Sequence, residues 1–192
     1  MDNTNEFTEF LDVKKCALVI WDVQNMLVNS IFNKDEFLVN SKALIVAARP
    51  AGVPVFFTKI TPLPERFESP ARKAFLSRRR GWNFTAEGLN LAIEPKEGDM
   101  ILNKNTASIF VGTNFELVMR NAGLSTVVFS GISTEMGIES SSRDALNRGF
   151  FPVIISDAVS SPNKEAHERS LQNLANMMLL LKTNELAALW KR

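Results

Sequence analysis

The chain has 192 residues, 45% of them apolar and 22% charged, with 22 basic side chains set against 21 acidic ones. That is length enough for one full core, and a balance that excludes disorder and any broad charged field for nucleic acid or cations. A single cysteine, Cys16, and a single histidine, His167, exclude a disulfide framework and a thiolate- or histidine-rich metal site.

The acidic, polar start Met1-Asp2-Asn3-Thr4-Asn5-Glu6 does not have the form of a secretory signal. No apolar run approaches the roughly 20 residues of a bilayer span. One cytoplasmic domain over residues 1–192 is expected, with neither membrane nor nucleic acid as partner. The triplet Arg78-Arg79-Arg80 reads as a solvated or subunit-contact feature.

An arm over residues 1–13 sets Phe7, Phe10 and Leu11 on one side of a short helical or irregular piece. Cys16-Ala17-Leu18-Val19-Ile20-Trp21-Asp22 is a continuous apolar run ending on a carboxylate, which suits a parallel strand buried on both faces. Phe37, Leu38, Leu44, Ile45 and Val46 predict a helix over 34–48, stopped by Pro50 and Gly52. A strand over 53–58 follows, with Pro54 near its start, where proline is tolerated. Residues 60–98 hold four prolines, the arginine triplet and Gly81-Trp82, and read as an irregular lid or rim.

A strand over 99–104 ends on Lys104, and a helix from about 114 to 121 stops at Gly123. The β-branched run from Val127 turns through the corner Gly131-Ile132-Ser133-Thr134 into a helix closed by Gly149, with Glu139 and Arg143 four apart. A strand over 151–157, a helix over 164–175, a strand over 178–181 and a helix over 185–191 complete the alternation. Leu186, Leu189 and Trp190 give the last helix an apolar face that would suit subunit contact. The fold class is α/β: a three-layer α/β/α sandwich around a mostly parallel sheet of about six strands.

In open α/β sheets, ligands sit at the carboxyl ends of the strands, beside helix N-termini that favour negative charge. Polar groups stand at three such ends: Asp22, Lys104 and the corner from Ser133 to Gly137. Brought together, the carboxylate and ammonium would favour each other's ionised form, giving a proton carrier and a stabiliser of negative charge. The plain alternative is a pair of strand-end caps or surface ions. Gln24 suits a hydrogen bond to loop backbone, and Trp21 and Trp82 either wall a pocket or fill core. Ser133, Ser140, Ser141 and Ser142 have no neighbouring histidine to act as base. His167 reads as a surface or helix-packing residue, and Asp157 with Ser160-Ser161 as a strand-end turn.

Three segments carry a resemblance: Leu18-Val19-Ile20-Trp21-Asp22-Val23-Gln24, Ile101-Leu102-Asn103-Lys104-Asn105-Thr106, and Gly131-Ile132-Ser133-Thr134-Glu135-Met136-Gly137-Ile138-Glu139. In order and spacing, from about residue 14 to 182, the chain resembles the isochorismatase-like hydrolase superfamily, whose fold is Rossmann-like. Most members of that family are amidases with an Asp-Lys-Cys triad. Their thiol stands at the N-terminus of the helix after the fourth strand, where the dipole favours a thiolate. The matching residue here is Gly137, which has no side chain to act as nucleophile. Cys16 stands six residues before Asp22, roughly 20 Å from the strand's carboxyl end at ~3.3 Å per residue, and reads as core. The nicotinamidase branch binds a metal through histidines after the second strand; residues 58–64 contain none, so neither metal nor cofactor is expected.

True isochorismatases resemble this chain in having glycine at that position. They cleave a vinyl ether to pyruvate and a dihydrodiol, which needs an acid for the methylene, stabilisation of an oxocarbenium ion, and water. The resemblance implies catalytic roles for Asp22 and Lys104, with Gly137 the gap that admits substrate. It also implies substrate contacts at Gln24, Ser133 and Thr134, and at Arg66 or Arg72 for a carboxylate. The family's glutamine after the second strand is Ile60 here, and its corner tyrosine is Ser133.

The expected function is acid-catalysed hydrolysis of a small, carboxylate-bearing substrate such as a vinyl ether. One alternative is a cysteine-free amidase in which Asp22 activates water. The other is a family member without catalysis, serving as a small-molecule-binding or scaffold protein. The resemblance further implies a homodimer or homotetramer.

Overall fold

The strand β1 (Cys16–Trp21) runs through the middle of the molecule with all six residues buried. In the computed structural model, which describes residues 7–76 and 84–191, it pairs in parallel with β2 (Val55–Ile60) on one side and β4 (Thr126–Ile132) on the other. With β3 (Met100–Lys104), β5 (Phe151–Ser160) and β6 (Leu179–Leu181), the sheet has six parallel strands in the order β3-β2-β1-β4-β5-β6. The order reverses between β1 and β4, and it is at such a reversal, by the carboxyl ends of the strands, that open α/β sheets place their ligands.

Period-two alternation sorts the β1 side chains between two cores. Cys16, Leu18 and Ile20 face a cluster that includes Leu44 and Ile45 of α2 (Lys34–Ala48) and Leu186 and Trp190 of α7 (Thr183–Trp190). Ala17, Val19 and Trp21 face the other cluster, with Phe115 and Met119 of α4 (Phe115–Asn121), Ala145 of α5 (Glu139–Asn147) and Leu174 of α6 (Lys164–Ala175). Helices thus cover both faces, the three-layer α/β arrangement expected from the alternation of elements.

Several expectations are corrected. Residues 60–98 are not wholly irregular: they hold a 3₁₀ turn at Glu65–Phe67 and the helix α3 (Pro70–Leu76), and Leu91 forms an antiparallel bridge to Gln24. Arg78-Arg79-Arg80 and Trp82 lie outside the described residues. A short helix, α1 (Asn25–Val28), follows β1 directly. Strand β5 does not end at Asp157 but runs to Ser160, because its register against β4 shifts between Phe129 and Gly131. Asp157 is no strand-end turn. Its Oδ1 accepts from Thr183 N and Thr183 Oγ1, both at 2.8 Å, anchoring the start of α7, and its carbonyl accepts from Asn40 Nδ2.

The apolar face of α7 is spent within the chain. Leu186 and Trp190 are buried with α2, so they offer no surface to a second copy. Cys16 is buried at the amino end of β1, as expected, with its thiol directed at Phe10 O (3.5 Å) and burial pushing its pKa up to about 12. Among the described residues no helix is long and apolar enough to cross a membrane.

Candidate active site

Asp22 is the first residue beyond β1 and adopts φ +47°, a left-handed backbone that Asp tolerates better than most residues. The turn brings its backbone N–H onto Thr58 Oγ1 (2.9 Å), and the same hydroxyl donates to Asp22 Oδ1 at 2.6 Å. Thr58 belongs to β2, which lies between β1 and β3. Two inter-strand spacings of about 4.8 Å must therefore be crossed to reach β3. The long lysine side chain crosses them: Lys104, the last residue of β3, places Nζ 2.6 Å from Asp22 Oδ2. Nζ also donates to Thr106 O (3.2 Å) and lies 4.0 Å from the Trp21 ring centroid. All three ammonium protons thus have a carboxylate, a carbonyl or an aromatic face to meet.

Asp22 and Lys104 are each only 3% exposed. Burial is the dominant influence on both: it pushes the Asp22 carboxyl above its ordinary pKa, against the opposing pull of Lys104 and Thr58. It likewise pushes Lys104 below the ordinary lysine value, against the pull of Asp22. Burial thus works against charge on both groups, while each group's attraction for the other works for it.

The third strand end supplies the corner. Past β4, across a cis Ile132–Ser133 peptide, Ser133 O accepts from Met136 N and Ile138 N, both at 3.3 Å. The second of these spans five residues, giving a widened turn over Thr134–Ile138 that leads straight into α5. Gly137 lies in this turn, buried against β1. A Cβ built on it would stand 1.9 Å from Trp21 Nε1 and 2.3 Å from Trp21 Cε2. The gap expected at Gly137 is therefore filled by the Trp21 indole, which corrects its assignment as the opening for substrate.

The remaining predicted contacts divide. Gln24 is fully buried, with Nε2 donating to Leu89 O (2.8 Å) and Ile60 O (3.2 Å) and Oε1 accepting from Ile60 N (2.8 Å). Its amide clamps loop backbone and is spent there, so the substrate contact implied for it is corrected. Thr134 is likewise turned away: its hydroxyl meets Ser160 O (3.2 Å) and His167 Nδ1 (2.8 Å). This makes His167 a packing residue between α6 and the corner, with burial lowering its pKa.

Ser133 stands at the corner, 6% exposed. Arg72, on α3, pairs with Glu68 (3.5 Å) and donates to Asn105 O, and its charge acts on both Asp22 and Lys104. Arg66 is exposed, with its guanidinium 5.9 Å from the Phe67 ring centroid. The structure brings Arg72 to the pair and leaves Arg66 on the rim. Ser141 of α5 serves structure: its Oγ donates to Ala107 O (3.3 Å) and accepts from Ile109 N (3.2 Å), tying the helix to the loop after β3.

Sequence reasoning missed Thr58. The available signal was a polar residue near the carboxyl end of a buried strand, the same signal that singled out Asp22 and Lys104. Among the described residues, no three His, Cys, Asp or Glu side chains converge as a metal ion would require.

A doubly wound parallel sheet with a buried carboxylate–ammonium pair at its switch point defines an α/β protein with an enzyme-like site. Residues 16–185 match the isochorismatase domain, and the chain belongs to the isochorismatase family of hydrolases. YwoC of Bacillus subtilis, an uncharacterised isochorismatase family protein, is 30% identical over 169 residues, covering 84% of this chain and 86% of its own. Nicotinamidase 3 of Arabidopsis thaliana is 29% identical, covering 84% and 81%. The ureidoacrylate amidohydrolase RutB of Pseudomonas savastanoi is 26% identical, covering 82% and 76%. The crystal structure of a cysteine hydrolase from Pseudomonas syringae superposes with a TM-score of 0.83 at 18% identity over 93% of each chain, a likeness of fold.

Proposed function

We propose that this chain hydrolyses a small, carboxylate-bearing substrate without a side-chain nucleophile, using Asp22 as the proton carrier. The observation that carries the reading is the Asp22–Lys104 pair itself. It is a desolvated carboxyl whose proton is favoured by burial, held at 2.6 Å from a lysine and 2.6 Å from a threonine hydroxyl. Protonation of an enol-ether methylene requires a carboxyl that can hold a proton to give, and burial shifts Asp22 in that direction. Lys104 then stabilises the carboxylate left behind, and water attacks the oxocarbenium ion. Gly137 offers no atom for a covalent intermediate, and stands where the resemblance places the cysteine of the family's amidases. Arg72, whose guanidinium reaches Asn105 O beside Lys104, holds the substrate carboxylate.

A second reading, a cysteine-free amidase, is favoured by the relatives named amidohydrolase and nicotinamidase. There Asp22 would be the base that activates water, and would have to be ionised.

The test is pyruvate release from isochorismate by the wild type and Asp22→Asn, followed by a panel of small amides. Pyruvate formed by the wild type and lost in the variant supports vinyl ether cleavage. Ammonia from an amide, again lost in the variant, moves the assignment to the second reading. The pH profile separates them independently. With Asp22 as acid, kcat/KM falls as pH rises through its raised pKa; with Asp22 as base, kcat/KM falls as pH drops through it. Silence on both substrate classes would leave a binding protein.

A further inference from the structure

The three atoms nearest to a Cβ on Gly137 belong to one side chain: Trp21 Nε1 at 1.9 Å, Cε2 at 2.3 Å and Cζ2 at 2.7 Å. No real Cβ tolerates such contacts, so either residue 137 is glycine or the indole moves. The indole is not free to move. Trp21 is 1% exposed, and it pairs in register with Gly131 of β4. There the two strands approach so closely that a Cβ on Gly131, already at φ +137°, would stand 2.1 Å from Trp21 O. Over its ring lies the Lys104 ammonium at 4.0 Å, itself pinned by Asp22 and Thr106 O. Rotating the indole out would strip Lys104 of one of its three partners and open the core face of β1.

We infer that Trp21 is the residue that commits this site to work without a side chain at position 137, and that its ring positions the Lys104 ammonium against Asp22. An aromatic face takes the place of a third hydrogen-bond acceptor for Lys104, so the lysine is oriented without a second carboxylate that would compete for its proton. The same ring occupies the volume into which any side chain at the helix entrance would project. Trp21 and Gly137 are thus one device in two parts. Its catalytic meaning rests on the proposed nucleophile-free hydrolysis, but its steric and electrostatic content does not.

The test is a double-mutant cycle read by melting temperature, with nuclear magnetic resonance of lysine ε-methylene groups and thiol labelling beside it. None of the three needs a substrate, so failure here and failure of the hydrolase reading are separate results. Glycine to alanine in an open helical turn raises stability. Here Gly137→Ala should instead lower Tm by roughly 5 °C or more, the overpacking penalty for a domain of this size. In the Trp21→Val background the same substitution should cost nothing or raise Tm.

The Lys104 ε-methylene protons should resonate upfield in the wild type, remain shifted in Trp21→Phe, and return to the ordinary lysine position in Trp21→Val. In Trp21→Val/Gly137→Cys, iodoacetamide should label one thiol in the native protein, with Cys16 silent. A Gly137→Ala variant that melts higher than wild type, or a penalty that persists unchanged in the Trp21→Val background, would overturn the inference. So would a Lys104 signal indifferent to Trp21, or an unlabelled thiol in the double variant. If Trp21→Val does not fold, Trp21→Phe supplies the cycle, since phenylalanine lacks the pyrrole edge that meets Gly137.

Discussion

Lys104→Met keeps most of the lysine's volume and removes its charge, leaving Asp22 buried with Thr58 as its hydrogen-bonding partner. Breaking a buried pair by deleting one member costs about 3–5 kcal/mol, because an uncompensated charge is left behind. The carboxyl has an escape, which is to bind a proton. With an unfolded-state pKa of about 3.9, holding that proton at pH 7 costs about 4 kcal/mol, and at pH 5 about 1.5 kcal/mol. The penalty at pH 7 is therefore capped near 4 kcal/mol, which for a domain of this length lowers Tm by roughly 8–16 °C.

In the wild type, the pair holds the same single proton whether it is drawn as two ions or as two neutral groups, so it adds little pH dependence between pH 5 and 7. In Lys104→Met, the folded Asp22 pKa is raised above the unfolded one, so its stabilising proton is fully present at low pH and is lost as pH rises. Stability should fall by about 1.4 kcal/mol per pH unit relative to wild type across that window. Urea denaturation of wild type, Lys104→Met and Asp22→Asn/Lys104→Met at pH 5, 6 and 7 measures it. The double variant, with nothing left to ionise, should track the wild-type slope. A Lys104→Met penalty that stays flat with pH would mean that Asp22 remains ionised and solvated, and the proton-carrier argument would fail with it.

Gln24→Leu should cost about 2–3 kcal/mol, since it leaves Ile60 N and the carbonyls of Ile60 and Leu89 unpaired in the interior. Hydrogen exchange at Leu91 and its neighbours should quicken while the Asp22–Lys104 pair is unaffected. With any turnover assay in hand, Arg72→Met should raise KM roughly tenfold or more, the loss of one charge-assisted contact, with a smaller change in kcat. Arg66→Met should leave both constants unchanged, and the reverse ranking would reassign the carboxylate contact. Cys16 should resist iodoacetamide at pH 8 until denaturant is added, because its thiol is buried and its pKa stands at about 12. Labelling of the native protein that abolishes activity would show a nucleophile where none is expected.

The sheet was legible because its evidence is local. Runs such as Cys16 to Trp21 and Val127 to Phe129 declare buried parallel strands by composition, and Gly123 and Gly149 mark helix ends. Asp22 and Lys104 were legible as residues because each is a charged group standing at the carboxyl end of a largely apolar strand. Other features depend on information that no single stretch holds. The extension of β5 past Asp157 follows from a register shift opposite Gly131, and Asp157 caps a helix 26 residues further on. The face of α7 was misassigned for a similar reason. An apolar stripe of Leu186 and Trp190 has the same pattern whether it meets α2 of its own chain or a second subunit.

Trp21 shows most clearly where local reading stops. As the last apolar residue of a strand it looks like core, and by burial it is core. Its importance comes from being one β1 residue before the carboxylate, which turns it to the face opposite Ile20 and under α5. From there it reaches Gly137, more than a hundred residues away, and the ammonium of Lys104 from a third element. The glycine, read by itself, signifies a missing nucleophile and an opening for substrate. Read with the indole against it, it signifies a closed wall. With the indole filling the space beside it, Gly137 offers substrate no way to the Asp22–Lys104 pair, so substitution there should be felt first in stability and not in substrate preference.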